Sequence, residues 1–249
     1  SWANVRRSFD DPVPFWENTT RATVNLLEAL RRVAGSESPR ATFGLASTSE
    51  VYGVCLGGGL SIDETYRIAP VSPYAASKAA QEMLVRTYAA SYHQPSVITR
   101  CFGYFNARRP DLAPTNWALQ IARAETGMGK NQIAHGWLGS VRTFLGMSDV
   151  LSAYWLAGTI GGLHGGVYNI GSETSTSMQA VLERLVQLST RRDLVRVVDA
   201  ALSRPVDIQS AVPNCRRFQL ATGWKPLWEW QSALAELLDE CRRVVRETP

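Results

Sequence analysis

Long hydrophobic runs are missing from this 249-residue sequence, although 45% of its residues are hydrophobic. No apolar stretch approaches the roughly 18 residues that a membrane-spanning helix needs. The first residues, 1–11, are polar and charged, unlike a secretory signal peptide. We therefore expect a globular protein of the cytoplasm that has no membrane partner.

Cysteine, histidine and lysine are also scarce. The four cysteines form no C-x-x-C pattern and the three histidines are scattered, so the sequence predicts neither a disulfide framework nor a metal site. Only three of the 26 basic residues are lysines, and the net charge of +4 is spread over dispersed arginine pairs. Nucleic-acid-binding proteins concentrate their basic residues instead, so we expect small anionic ligands and no nucleic acid.

Short apolar runs alternate with helical patterns through the first half of the chain. A helical pattern covers residues 14–33 and a long amphipathic one covers residues 73–92. Between and after them, "ATFGLAS" (41–47) and "PSVITRC" (95–101) have the composition of buried strands. This alternation predicts an α/β fold with a Rossmann-like parallel sheet.

The second half of the chain has a different pattern. Its predicted elements are helices at about 148–159, from Met178 onward and around Leu234 to Val245, a strand at 165–171, and a short helix that ends in "ATGW". A smaller α/β lobe that caps the sheet is the simplest architecture.

The carboxyl ends of the predicted strands are the first site candidates, because ligands on parallel sheets bind there. One strand end carries Ser47, Thr48 and Glu50, and the other carries Cys101 and Gly103.

The segment "SPYAASK" places Tyr74 and Lys78 four residues apart, and therefore on one face of a helix. The ordinary pKa of tyrosine is about 10. A neighbouring ammonium group favours the phenolate, so we expect Lys78 to lower the pKa of Tyr74. The alternative is a surface tyrosine packed on a lysine stem. The hydroxyls and carboxylate of the nearby "STSEVYG" favour catalysis.

These segments resemble the extended short-chain dehydrogenase/reductase family of NAD-dependent epimerases and dehydratases, which act on nucleotide sugars. "SPYAASKAAQEML" is similar to the tyrosine–lysine helix, and "ASTSEVYG" to the strand that ends in the catalytic hydroxyl. "VRTFLGMSDVLSAYWLA" is similar to the Arg-Asp-Phe segment, and "RPVD" with "TGWKP" to the C-terminal lobe. Within the family, the sequence looks closest to GDP-4-dehydro-6-deoxy-D-mannose reductases, with GDP-mannose 4,6-dehydratases next.

The resemblance implies NAD or NADP as the cofactor, a GDP-linked sugar as the substrate, and a homodimer. It implies that residues 1–107 and 131–170 form an incomplete cofactor domain, and that residues 108–130 and 171–249 form the substrate lobe. By matching position, the catalytic residues are Thr48, Glu50, Tyr74 and Lys78. The cofactor-binding residues are Asn18, Ser47, Tyr74, Lys78 and Cys101, and the substrate-binding residues are Thr48, Glu50, Gly103, Arg142 and Arg204.

Three features depart from the family pattern. Gly103 replaces an asparagine, and Arg142-Thr143-Phe144 replaces Arg-Asp-Phe. The glycine-rich pyrophosphate motif is absent, and the glycines at 57–59 neither follow a strand directly nor open a helix. We therefore expect the first βαβ units of the fold to be missing, the strand at 41–47 to have an exposed edge, and the 249-residue chain to bind NAD(P)H weakly or not at all.

Three functions remain open. A reductase would pass a hydride from NAD(P)H to a C4 ketone while Tyr74 donates a proton. A 4,6-dehydratase needs in addition a base for the C5 proton, and Glu50 would lie on the same side of an extended strand as Thr48. A non-catalytic relative would keep the fold for binding alone. The joint presence of Thr48, Tyr74 and Lys78 argues against this last reading.

Overall fold

The computed structural model describes residues 3–33, 41–54, 61–203, 206 and 208–247. Its α-helices are α1 (Val5–Asp10), α2 (Val13–Trp16), α3 (Ala22–Val33), α4 (Pro73–Tyr92), α5 (Ala113–Glu125), α6 (Met147–Thr159), α7 (Met178–Leu188), α8 (Arg216–Thr222) and α9 (Trp230–Glu247). Its strands are β1 (Phe43–Thr48), β2 (Ser61–Ile62), β3 (Ser96–Cys101), β4 (Gln132–His135), β5 (Val141–Thr143), β6 (Val167–Ile170), β7 (Ser175–Ser177), β8 (Val195–Val198) and β9 (Val212–Pro213).

The central sheet has the strand order β1-β3-β6, and all its pairs are parallel. On one face, Leu45, Ile98 and Val167 pack with Leu27 of α3 and Val85 of α4. The opposite face packs against α6. These layers confirm the predicted Rossmann-like α/β fold. Among the described residues, β1 is an outer strand of this sheet and pairs with β3.

Helix α4 begins and ends where the sequence predicts. The Ser72 side chain accepts a hydrogen bond from the backbone N–H of Ala75 at 3.1 Å, and Pro73 occupies the first helical position. At the other end His93 adopts a left-handed conformation with φ 52°. Tyr74 and Lys78 lie in the first two turns of this 20-residue helix.

Residues 14–33 do not form one continuous helix. A five-residue π-helical turn, Glu17–Arg21, separates α2 from α3. Its carbonyl at Thr19 accepts a hydrogen bond from the side chain of Gln81 on α4, 3.2 Å away. A π-helical turn inside a helix often marks a functional site.

Helix α5 was not predicted, although Trp117, Ala118, Ile121 and Ala122 have helical spacing. It packs with α7 and α9 in a second hydrophobic core. Strand β4 pairs with β8 and β5 pairs with β7, which ties residues 132–143 to the C-terminal strands. The domain boundaries stay predictions. Within the described ranges, no helix combines the length and apolar character that a membrane crossing requires.

Candidate active site

A cavity of about 340 Å³ lies at the carboxyl ends of β1 and β3. The sequence-predicted residues that line it are Ser47, Thr48, Glu50, Tyr74, Lys78, Cys101, Gly103 and Arg142. Eight residues from four separate segments therefore converge on one site. The parallel pairing of β1 with β3 places Thr48 beside Cys101 and explains this convergence.

Tyr74 is buried, and a hydrogen bond joins its hydroxyl to that of Thr48. Burial raises the pKa of Tyr74 to about 12, and the hydrogen bond to Thr48 only partly offsets this increase. The charge of Glu50 raises the pKa of Tyr74 further. We predicted that Lys78 lowers the pKa of Tyr74. In the protein without bound ligands this prediction is wrong, because desolvation of the phenolate outweighs the attraction of nearby cations.

Lys78 lies one helical turn after Tyr74 and is also buried. Its Nζ donates to the carbonyl oxygen of Ala46 at 2.7 Å and to Oε1 of Gln81 at 2.9 Å. Gln81 in turn donates to Thr23 Oγ1 at 2.5 Å and to the carbonyl of Thr19. Burial lowers the pKa of Lys78 to about 8, and the charge of Glu82 opposes this shift.

Glu50 lines the cavity but does not lie on an extended strand, as the sequence led us to expect. Strand β1 ends at Thr48, and Glu50 belongs to a 3-10 turn, Ser49–Tyr52. The Thr48 hydroxyl caps this turn by accepting a hydrogen bond from the Glu50 backbone N–H at 3.3 Å. The 3-10 turn, and not the extended strand that we predicted, places the carboxylate in the cavity.

Ser47 and Cys101 line the cavity at the two strand ends. The Ser47 hydroxyl donates to Oε1 of Glu82 at 2.6 Å and is thus directed into the protein interior. Burial raises the pKa of the Cys101 thiol to about 12, so this cysteine is not a nucleophile near neutral pH. The guanidinium of Arg142, on β5, donates to the carbonyl of Val141 at 2.9 Å.

Asn18 lies away from the cavity. It is exposed on the π-helical turn, where its side-chain amide donates to the carbonyl of Pro14 at 2.8 Å. Arg204 and the glycines at 57–59 fall outside the described residues, so their predicted roles stay predictions.

Gly103 has a steric reason to replace the asparagine of the family pattern. A Cβ atom at this position would stand 2.3 Å from the carbonyl oxygen of Thr143 and 3.3 Å from Cδ1 of Phe144. Thr143 is the last residue of β5 and Phe144 follows it, and Arg142 and Phe144 line this side of the cavity. Because the backbone of Thr143 lies so close to Gly103, this position has no room for a larger residue.

We expect Gly103→Ala to lower the free energy of unfolding by about 1–3 kcal/mol, the usual cost of overpacking. Urea unfolding measures the change. Gly44→Ala on β1 is the matched control, because a Cβ there meets no atom within 4 Å. Equal stability of the two variants would contradict the steric explanation.

Sequence reasoning missed Arg109, which lines the same cavity. Its guanidinium is held by Asp111 through two hydrogen bonds of 2.7 and 2.6 Å and donates to the carbonyl of Ala3. Its charge lowers the pKa of Tyr74, so a cation other than Lys78 acts on the phenol. The signal was available, because Arg109 follows the end of β3 by only a short loop.

The arrangement is suited to proton transfer. A phenol, a hydroxyl, an ammonium group and a carboxylate meet in one cavity, and two arginines supply positive charge for an anionic ligand. Among the described residues, no group of three or more His, Cys, Asp or Glu side chains is placed to hold a metal ion.

Comparisons with known proteins identify the family of this chain. The chain matches the model of the family described as GDP-mannose 4,6 dehydratase over residues 2–237. It is 30% identical to the GDP-6-deoxy-D-mannose reductase of Pseudomonas aeruginosa, with 98% of this chain and 78% of that protein covered. It is 29% identical to the dTDP-glucose 4,6-dehydratase of Neisseria gonorrhoeae, with 93% and 69% covered.

Two solved structures have the same fold. RMD from Pseudomonas aeruginosa complexed with NADPH has a TM-score of 0.87 and 28% identity, with 98% of this chain and 80% of that chain covered. The dTDP-glucose 4,6-dehydratase from Bacillus anthracis in complex with NAD has a TM-score of 0.79 and 26% identity, with 94% and 71% covered. Since the family model spans nearly all of the sequence, the chain belongs to the GDP-mannose 4,6 dehydratase family, within the extended short-chain dehydrogenases/reductases that its motifs indicate.

Proposed function

We propose that this protein is an NAD(P)-dependent nucleotide-sugar reductase that reduces the C4 ketone of GDP-4-keto-6-deoxy-D-mannose. The observation that carries the proposal is the cavity in which the buried phenol of Tyr74 meets Thr48 and Lys78. Burial raises the pKa of Tyr74 to about 12, so the phenol holds its proton near neutral pH until an alkoxide develops beside it. A reduction requires such a donor, because the developing alkoxide must be protonated. The similarity to a GDP-6-deoxy-D-mannose reductase supports the choice of sugar and base.

The cavity fits the nicotinamide ribose of NADH or NADPH. Lys78 and Tyr74 supply an ammonium and a phenol donor for ribose hydroxyls, and Ser47 and Cys101 line the neighbouring strand ends. When bound, the cofactor supplies the hydride. The relatives with NADPH and with NAD support both choices of cofactor.

In this proposal, each side chain has a separate task. Thr48 donates a hydrogen bond to the sugar O4 and orients the carbonyl. Tyr74 donates its proton to the same oxygen as negative charge develops there. Lys78 stabilises the resulting phenolate, and the buried walls of the cavity exclude water. Arg142 faces the diphosphate, where its planar guanidinium suits phosphate oxygens.

The direct test uses a form of the protein that binds NAD(P)H, because the 249 residues contain no glycine-rich pyrophosphate motif. It is incubated with GDP-4-keto-6-deoxy-D-mannose and either NADH or NADPH. We expect oxidation of one of the two cofactors together with formation of the C4 alcohol. Absence of turnover with both cofactors, in a protein that binds them, would support a non-catalytic relative instead.

The 4,6-dehydratase is a second candidate because Glu50 shares the cavity with Tyr74 and its charge acts on the phenol. A carboxylate that lines the same cavity as the proposed proton donor is a candidate base for the C5 proton. The similarity to dTDP-glucose 4,6-dehydratases supports this alternative.

The variant Glu50→Gln separates the two reactions. A reductase is expected to keep most of its activity on the 4-keto sugar, because its proton comes from Tyr74. A dehydratase should incorporate deuterium at C5 from heavy water when given GDP-mannose, and the variant should lose this exchange. Glu183→Gln, which removes an exposed carboxylate of α7, is the control. Exchange in the wild type that disappears only in Glu50→Gln would overturn the reductase proposal.

We further propose a homodimer that forms through α3 and α4. Both helices expose large apolar side chains, with 57% exposure of Leu26, 46% of Met83 and 42% of Tyr92. Size-exclusion chromatography with light scattering tests this assembly. The cytoplasmic location stays a prediction.

A further inference from the structure

A buried ion pair lies next to the end of β1, the strand that carries Thr48. Glu82 of α4 and Arg100 of β3 have almost no exposed side-chain surface, with values of 0% and 1%. Two hydrogen bonds join them, from Arg100 Nε to Glu82 Oε1 at 3.0 Å and from Nη2 to Oε2 at 2.6 Å. Burial of two charges is costly, and apolar residues often serve a core equally well. The position of this pair therefore calls for a functional explanation.

The carboxylate of Glu82 also reaches the strand that carries Thr48. Its Oε1 accepts the 2.6 Å hydrogen bond from Ser47, the residue that precedes Thr48. Glu82 therefore links α4, β1 and β3 through hydrogen bonds, and one of its partners, Ser47, lines the cavity.

The arginine extends the same network to the turn that carries Glu50. Arg100 Nη1 donates to the hydroxyl of Tyr52 at 3.0 Å, and that hydroxyl donates to Asn169 Oδ1 at 2.7 Å. The guanidinium carbon also lies 4.8 Å from the centre of the Tyr52 ring. Tyr52 is the last residue of the 3-10 turn, so both sides of the catalytic hydroxyl at Thr48 are fixed to one ion pair.

Lys78 is connected to the pair through its own helix. Glu82 follows it by one turn, and the backbone that accepts the Lys78 hydrogen bond is Ala46, the residue before Ser47. We propose that Glu82 is a positioning residue for the catalytic pair, and that it acts from beneath the cavity through Ser47 and Lys78. This inference rests on the reductase proposed above and assigns no contact between Glu82 and the substrate.

The charges around Lys78 are unevenly distributed. Tyr74 and Glu82 belong to its own helix, Arg100 to β3 and Glu50 to the 3-10 turn, and of these only Glu82 shifts the pKa of Lys78. Arg109 and Arg142 line the same cavity. The titratable groups of α1 and the π-helical turn, Arg6, Arg7, Asp10, Glu17 and Arg21, are exposed, so solvent screens them. On α3, the carboxylate of Glu28 forms ion pairs with Arg31 and Arg32. It also accepts a hydrogen bond from Tyr88 of α4. Glu82 is thus the buried anion nearest to Lys78 along α4, and its charge opposes the lowering of the Lys78 pKa by burial.

The test replaces the pair as a unit, in Glu82→Leu/Arg100→Met, because removal of one partner alone would leave a buried charge unpaired. We expect kcat for the 4-keto sugar to fall by about tenfold to a hundredfold, the scale of a small misplacement of reacting groups. The KM of the sugar should stay nearly constant. The alkaline limb of the profile of kcat/KM against pH should move to lower pH, since Lys78 loses the anion that favours its charged form.

Glu125 and Arg242 supply a matched control. Their side chains form two hydrogen bonds of 2.8 Å, and Ser189 Oγ donates to Glu125 Oε1 at 3.0 Å, so this pair repeats the chemistry at a distance from the cavity. The replacement Glu125→Leu/Arg242→Met should alter stability without a change in kcat or in the alkaline limb. Wild-type kcat and an unmoved limb in the Glu82/Arg100 variant would overturn the inference.

Ser47→Ala tests the positioning role of Glu82 if the double variant does not fold. It removes the hydrogen bond between β1 and Glu82 and leaves the two hydrogen bonds of the ion pair in place, and we expect a several-fold loss of kcat in a variant that stays folded. A change confined to the KM of the cofactor would instead show that Ser47 contacts the cofactor, and would overturn the positioning role. Tyr74→Phe in the same assay isolates the proposed function, because retained activity there contradicts the reductase whatever Glu82 does.

Discussion

In a form of the protein that binds NAD(P)H, Tyr74→Phe is expected to lower kcat by at least about a hundredfold, the usual scale of general acid catalysis, with little loss of cofactor affinity. The phenylalanine keeps the ring that fills the buried site and removes only the hydroxyl that hydrogen-bonds Thr48. The fold should therefore be preserved, and the loss should fall on the chemical step. Steady-state kinetics with the 4-keto sugar and a cofactor titration measure the two effects.

Tyr88→Phe is the control for this experiment. Tyr88 lies near the other end of the same helix, where its hydroxyl donates to Glu28 at 2.8 Å. Its replacement also removes one phenolic hydrogen bond and should leave kcat unchanged. Near-normal turnover by Tyr74→Phe would contradict the assignment of Tyr74 as the proton donor.

The elements that carry this chemistry could be predicted because local signals were strong. Ser72, Pro73 and the long amphipathic pattern define α4 in the sequence, and the apolar runs define β1 and β3. The i, i+4 spacing of Tyr74 and Lys78 also predicts that both face the same site. The cavity confirms that they line it together.

Burial and long-range pairing could not be predicted in the same way. Spacing shows which face a side chain occupies but not how far it is desolvated. We therefore expected Lys78 to lower the pKa of Tyr74, whereas burial raises this pKa. The Glu82–Arg100 pair joins two elements and depends on the sheet register. The glycine at 103 depends on a neighbouring backbone that is 40 residues away in the chain. None of these contacts has a local sequence signature.

The second large effect that we expect is a dependence of activity on pH, which follows from the pKa of Lys78. Burial lowers this pKa to about 8, so the side chain is an ammonium ion below that pH and a neutral amine above it. The proposed mechanism needs the charged form to stabilise the phenolate. We therefore expect kcat/KM to fall as the pH rises through about 8. Tyr74 cannot cause this limb, because its own pKa is about 12.

Two variants of Lys78 assign the limb. Lys78→Met should lower kcat/KM by about a hundredfold or more, since it removes a preorganised charge from a closed site. Lys78→Arg keeps a positive charge that is not lost at any pH used with proteins, so whatever activity it retains should show no limb near pH 8. A profile measured from pH 6 to about 10, with a check that the protein stays folded throughout, compares the variants with the wild type. A limb that persists unchanged in Lys78→Arg would belong to another group in the cavity, and would mean that the charge of Lys78 is not required for the reaction.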